Sequence, residues 1–172
     1  MLLARHLLTV AAVAAVSAIA TLPAAASTPV AGAALAPAPV CLDATNERAN
    51  GTEVRLWQCM DHANLRFVVD GGQIKVKDTV GTNRQVCLDA TNERANGTEV
   101  RLWQCMDHAN QKFVVDGGQI KVKDTVGTNR QVCLDTTNER TNNTGMRLWQ
   151  CMDHANQKFV VDGGQIKVKD TL

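Results

Sequence analysis

The chain has 172 residues, 45% of them apolar and 20% charged, with 18 Lys and Arg against 17 Asp and Glu. That length suits one domain, and the composition is that of an ordinary globular protein. A net charge of only +1 supplies no field for nucleic acid or an anionic lipid surface, and both are excluded as primary partners.

Residues 1–26 read as a secretory signal peptide. Arg5 and His6 form a short polar start, Leu7 to Leu22 is an apolar run, and Ala24, Ala25 and Ala26 make a small-residue cleavage site. The run is interrupted by Thr9 and Ser17 and falls short of the roughly 20 apolar residues that span a bilayer, which favours cleavage over a membrane anchor. Its removal takes away Arg5 and no acid, leaving the two signs balanced. Residues 27–40 form an Ala/Pro-rich linker, expected to be extended. The expectation is a secreted, extracellular protein with no membrane insertion.

From Cys41 onward the chain is one sequence written three times, in units 41–86, 87–132 and 133–172. The first two units differ only at Leu65/Gln111 and Arg66/Lys112. All six cysteines lie in the repeats, two to a unit. Of the pairings available, a three-fold repeat favours the one each unit makes for itself: Cys41–Cys59, Cys87–Cys105 and Cys133–Cys151. Each bridge would be worth about 3 kcal/mol on the chain-entropy model. The rival zinc reading is weak because there is no Cys-x-x-Cys pair, and neither a metal nor a cofactor is expected.

In the second unit, Arg84 to Asp89 is a short β-prone run, and the polar loop that follows leads to Asn96-Gly97, a strong signal for a type I′ hairpin turn. The third unit has Asn142-Asn143 instead, which keeps the preference for positive φ. Glu99 to Met106 alternates as a half-buried strand should, placing Val100 and Leu102 on one face and Glu99, Arg101 and Trp103 on the other. Lys112 to Val115 and Gln119 to Lys123 are two further strands around an Asp116-Gly117-Gly118 turn. Lys75, Lys77 and their repeats read as a solvated strand face. Four strands in each of three units make an all-β domain. A unit this small cannot bury enough apolar surface alone, so the three must share a core. Three hairpin-rich units closing around a pseudo-three-fold axis make a β-trefoil.

Each unit carries one Trp and one Phe. The Phe sits among apolar neighbours and belongs to the core. Two roles fit Trp57, Trp103 and Trp149: packing on a disulfide or under a loop, or forming a flat apolar platform. A sugar ring has one face of C–H groups that suits such a platform, with polar groups around the rim for its hydroxyls.

The pattern of Cys-Leu-Asp, a loop ending in Asn-Gly, then Leu-Trp-Gln-Cys, Asn-Gln-x-aromatic and a Gly-Gln-Ile strand resembles one subdomain of the ricin B-chain-like (R-type) lectins, also classed as carbohydrate-binding module family 13. The resemblance covers residues 41–172 and implies a β-trefoil with one sugar site per unit and a disulfide within each unit. It implies that Asp89 accepts hydrogen bonds from two adjacent sugar hydroxyls and that Trp103 stacks on the ring. Asn110 and Gln111 would donate to hydroxyls or brace the aspartate. The same roles fall on Asp135, Trp149, Asn156 and Gln157, and on Asp43, Trp57 and Asn64. The implied partner is a carbohydrate, a galactose-like sugar or another glycan or polysaccharide, bound without catalysis.

Three departures stand out. The family's Gln-x-Trp is Gln111-x-Phe113 and Gln157-x-Phe159 here. Leu65 replaces the glutamine, which makes the first site the weakest candidate. Arg55, Arg101 and Arg147 stand where some sugar-binding units have Gln, and a guanidinium donates but cannot accept. His62, His108 and His154 lack a free nucleophile to activate and read as rim or surface residues. Triplication of the carboxylates argues for binding over hydrolysis. Asn50, Asn96 and Asn142 each match the N-glycosylation acceptor pattern. The alternative reading is a trefoil that engages or inhibits another protein, with structural Trp residues.

Overall fold

The computed structural model describes residues 38–172, so the expected signal peptide and residues 27–37 of the expected linker lie outside the described residues. Each unit contributes four strands of four residues. The first supplies β1 (Val40–Asp43), β2 (Arg55–Gln58), β3 (Phe67–Asp70) and β4 (Gln73–Val76). The second supplies β5 (Val86–Asp89), β6 (Arg101–Gln104), β7 (Phe113–Asp116) and β8 (Gln119–Val122). The third supplies β9 (Val132–Asp135), β10 (Arg147–Gln150), β11 (Phe159–Asp162) and β12 (Gln165–Val168). Val40, read as the last linker residue, is instead the first residue of β1. It is almost fully buried, and its N–H donates to Thr171 Oγ1 at 3.1 Å.

The sheets do not follow the sequence units. Each joins the closing hairpin of one unit to the opening pair of the next, in the orders β3-β4-β5-β6, β10-β9-β8-β7 and β11-β12-β1-β2. The last of these ties the C-terminal hairpin to the first strand and closes the chain on itself. Three backbone bonds close a ring on the axis: Val54 N–H to Val100 O at 3.2 Å, Val100 N–H to Met146 O at 3.0 Å, and Met146 N–H to Val54 O at 2.8 Å. A second ring runs from Phe67, Phe113 and Phe159 to the carbonyls of Gly164, Gly72 and Gly118, each at 2.7 Å. No unit can complete either ring alone, so the three fold as one body.

The alternation in the second strand of each unit reaches the core as expected. Val54, Leu56, Val100, Leu102, Met146 and Leu148 are at most 1% exposed, and all join a single apolar cluster with Ile74, Ile120, Ile166 and the three Phe residues. Each such aliphatic side chain contributes about 1.5–3 kcal/mol by leaving water. The three disulfides form within units, between Cys41 and Cys59, Cys87 and Cys105, and Cys133 and Cys151.

The Asn-Gly turn differs from expectation. Asn96 keeps an ordinary φ and only Gly97 is positive, at 88°, so this is not a type I′ hairpin. Thr98 N–H bonds back to Ala95 O at 3.3 Å, and the turn tips a long loop whose contacts are with the next unit. Gly97 N–H donates to Leu148 O at 2.8 Å, while Asn96 Oδ1 accepts from Gln150 N–H at 2.7 Å. Asn50 and Asn142 make the same bond to Gln104 and Gln58. A two-residue hairpin fails here because β5 and β6 are separated by residues 90–100, and the Asn side chain is used to dock one unit on another. Asn143, at φ 70°, takes the position of Gly97 as the preference for positive φ predicted.

Candidate functional site

The opening strand pair of each unit brings the aspartate and the tryptophan to one surface. Asp89 pairs across the sheet with Arg101, and Cys87 with Trp103, which sets Asp89 diagonal to the indole. Trp103 is 39% exposed, whereas Asp89 is only 6% exposed. Asp89, Asn92, Arg101, Trp103, His108 and Asn110 are among the residues that line an open cavity of about 300 Å³.

The aspartate is fixed before any ligand arrives. Its Oδ1 accepts from Thr91 N–H at 2.7 Å and its Oδ2 from Gln111 Nε2 at 3.0 Å. Thr91 adopts φ 55°, as Thr45 and Thr137 adopt 57° and 63°, a left-handed conformation that costs a β-branched residue of the order of 1–3 kcal/mol. In all three units this left-handed Thr turns its N–H to Oδ1 of the aspartate two residues earlier.

Of the two roles open to Gln111, the geometry gives bracing. Its side chain is fully buried. Beyond Asp89, Nε2 donates to Gln104 O at 3.0 Å, and Oε1 accepts from Met106 N–H at 2.7 Å and from Gln73 Nε2 at 3.3 Å. Gln157 does the same for Asp135, with Nε2 at 3.2 Å from Oδ2. Both glutamines are fully buried and spend both Nε2 hydrogens on protein acceptors, which leaves none for a sugar hydroxyl. In the first unit Leu65 leaves Asp43 without this donor, and Arg55 Nε approaches Asp43 Oδ2 only to 3.8 Å. Arg55 Nε is buried without a hydrogen-bond partner.

Asn110 does reach the cavity. Its Oδ1 accepts from Arg94 Nη2 at 3.0 Å and its Nδ2 donates to Asn92 Oδ1 at 2.9 Å, leaving one amide hydrogen for a ligand. Arg94 is itself clamped on Asp124 through Nε at 3.1 Å and Nη2 at 3.0 Å. Arg48 and Arg140 hold Asn64 and Asn156 in the same way, at 3.0 and 2.9 Å. Sequence reasoning missed these arginines, although their recurrence once per unit, 16 residues before the asparagine, was a usable signal. His62, His108 and His154 turn Nδ1 to the N–H of Asn64, Asn110 and Asn156 at 3.3 Å, capping a short 3-10 turn.

The three tryptophans are not equivalent. Trp103 is open. Over Trp149 the Arg147 guanidinium stands 4.3 Å from the ring centroid, with Nε 3.0 Å from Asp135 Oδ1. Over Trp57 the Arg55 guanidinium stands at 5.2 Å, and the cavity beside it is about 220 Å³. Arg101 instead turns away to Glu99, with Nη2 2.5 Å from Oε2.

A family model described as the ricin-type β-trefoil lectin domain matches residues 35–159. Among solved structures, the C-terminal half of an earthworm R-type lectin, in complex with GalNAc, aligns with a TM-score of 0.52 at 18% identity, covering 73% of this chain and 88% of that one. The β-trefoil lectin of the Vibrio vulnificus hemolysin/cytolysin, with N-acetyl-D-lactosamine bound, aligns at 0.54 and 18% identity, covering 72% and 85%. The designed three-fold symmetric protein ThreeFoil aligns at 0.50 and 15% identity, covering 76% and 96%. At these identities the alignments speak for the fold, and no curated protein sequence matches the chain. With the twelve-strand trefoil, the within-unit disulfides and a family match over most of the chain, the protein belongs to the ricin-type β-trefoil lectin domain family.

Proposed function

We propose that the protein is a secreted, non-catalytic lectin that recognises glycans through the Asp–Trp–Asn sites of its repeated units. The observation that carries this reading is the second unit's cavity, in which a braced carboxylate faces an exposed indole. Asp89 accepts from vicinal hydroxyls, Trp103 takes the C–H face of the ring, and Asn110 donates its free amide hydrogen. An apolar plate with a few fixed polar groups at its rim is how small polar ligands are oriented. Galactose-type sugars head the candidates, because two structurally similar lectins were solved with GalNAc and N-acetyl-D-lactosamine. Each site is shallow, so useful strength comes from several sites engaging one glycan-coated surface, where effective concentration multiplies a weak affinity.

Glycan-array binding by the purified domain tests this directly. Trp103→Ala should weaken the leading signal by about tenfold or more while leaving the far-ultraviolet circular dichroism unchanged. Asp89→Asn, which keeps the side chain's shape, should do the same. Binding indifferent to both substitutions overturns the site, and a domain that binds no glycan but inhibits a protease supports a protein-directed trefoil instead.

A further inference from the structure

The three sites share the aspartate, tryptophan and asparagine that would touch a sugar and differ behind the aspartate only in the brace at position 65, yet their platforms differ in how far the neighbouring arginine covers them. The arginine lies two residues before the tryptophan on the same strand face and directly across from the aspartate, as in the pairs Asp43↔Arg55, Asp89↔Arg101 and Asp135↔Arg147. It therefore has two places to go, inward between carboxylate and indole or outward to another acid.

Which acids are within reach is set by the residue two before the arginine, which is Glu53, Glu99 and Gly145 in the three units. These positions also meet across the axis in bridges Glu53↔Arg101, Glu99↔Arg147 and Gly145↔Arg55. Arg101 thus has a glutamate on its own strand and another opposite it, and it bonds to Glu99. Arg147 has Gly145 on its own strand, and the glutamate opposite it, Glu99, is already engaged by Arg101. Arg147 folds inward, 3.0 Å from Asp135 and 4.3 Å from the Trp149 centroid. The glycine reaches the first unit too. A Cβ at position 145 would stand 2.3 Å from Glu53 Oε1, so the Glu53 carboxylate occupies the space that the missing side chain leaves. Arg55 is left at an intermediate 5.2 Å from Trp57.

We propose that the acids left free around each arginine, set by the single Glu-to-Gly difference at position 145, decide whether the tryptophan platform is open: Glu99 draws Arg101 away from the second site, Gly145 leaves Arg147 in the third as an internal occupant, and in the first the Glu53 carboxylate lies in the space beside Gly145 and Arg55 stays partly over Trp57. The chain then offers one ready site, one partly covered and one that a ligand must first clear. A guanidinium stacked on an indole and paired with a carboxylate uses both groups a sugar needs, so the two compete. This inference rests on the glycan-binding reading above. Gly145 has no positive φ, so a side chain there is free of backbone strain, and the atom it would displace is the end of a flexible side chain.

Two readouts separate the inference from the reading it rests on. The first needs no sugar. In a Trp57→Phe, Trp103→Phe background, acrylamide quenching of Trp149 should be weak, and Arg147→Gln or Gly145→Glu should raise it to the value of Trp103 measured alone. Glu99→Gln should lower the quenching of Trp103. The second is an NMR titration of the indole N–H signals with N-acetyl-D-lactosamine. Trp103 should shift first, and Arg147→Gln should tighten the response at Trp149 by about fivefold, the factor that one exposed guanidinium–indole contact takes from the open fraction. A Trp149 as quenchable as Trp103 in the parent, or unmoved by both Arg147→Gln and Gly145→Glu, overturns the inference. The quenching contrast without an indole shift from any array glycan overturns the glycan reading and leaves the arginine placement standing.

Discussion

Leu65 and Gln111 amount to a natural substitution in an otherwise repeated setting, and exchanging them measures what holds the aspartate. In Gln111→Leu the fold should persist, because the first unit accommodates Leu65 at 1% exposure in the same place. Four hydrogen bonds are lost, to Asp89, Gln104 O, Met106 N–H and Gln73 Nε2. At about 1 kcal/mol net each, this removes about 4 kcal/mol, against which burying a leucine returns about 2 kcal/mol. The net cost is therefore about 2 kcal/mol. Leu65→Gln should stabilise by up to the same amount, since Asp43, Met60, Gln58 and Gln165 wait in the equivalent positions and Gln165 Nε2 already bonds to Met60 O at 3.0 Å. Guanidinium unfolding followed by tryptophan fluorescence, with the disulfides intact, reads both values. A Gln111→Leu variant as stable as the parent would show that the buried amide network contributes nothing beyond its volume.

Removing one bridge by the double substitution Cys87→Ser, Cys105→Ser, with a sequence separation of 18, should cost about 3 kcal/mol in the same unfolding assay. Gly97→Asn should be close to neutral because Asn143 already adopts φ 70° there, whereas Gly97→Val should cost about 1–2 kcal/mol, readable as a lower denaturation midpoint. Asp70 accepts a hydrogen bond from Lys75 Nζ at 2.8 Å, which holds its carboxyl below the ordinary value of 3.8. A depressed carboxylate stabilises the fold above its unfolded pKa, and that contribution is lost as pH falls below 3.8 through the folded value. Lys75→Met should bring the Asp70 carboxyl titration, followed by carbon NMR, back towards the ordinary value.

The strands, bridges and core were legible because they follow from local periodicity. Val100 and Leu102 alternate with Arg101, and alternation alone sends them inward. The within-unit cysteine pairing followed from the repeat. What the sequence concealed lies between units. Asn96 looks like a hairpin residue, yet its side chain docks on Gln150 of the next unit, a partner 54 positions away. The bracing role of Gln111 depends on its complete burial, which no local pattern announces beside the polar Asn110 and Lys112. The unequal platforms were equally hidden. Arg101 and Arg147 occupy identical local sequences from arginine to cysteine, and they part only because of Glu99 and Gly145 and the strands facing them.

A crystal structure of the domain with N-acetyl-D-lactosamine tests the central claim most directly. The account predicts sugar density between Asp89 and Trp103, with a ring stacked on the indole and two hydroxyls on the carboxylate, and weaker or no density over Trp149 with Arg147 still in place. Density confined to the third unit, or a sugar held away from Asp89 and Trp103, would contradict it.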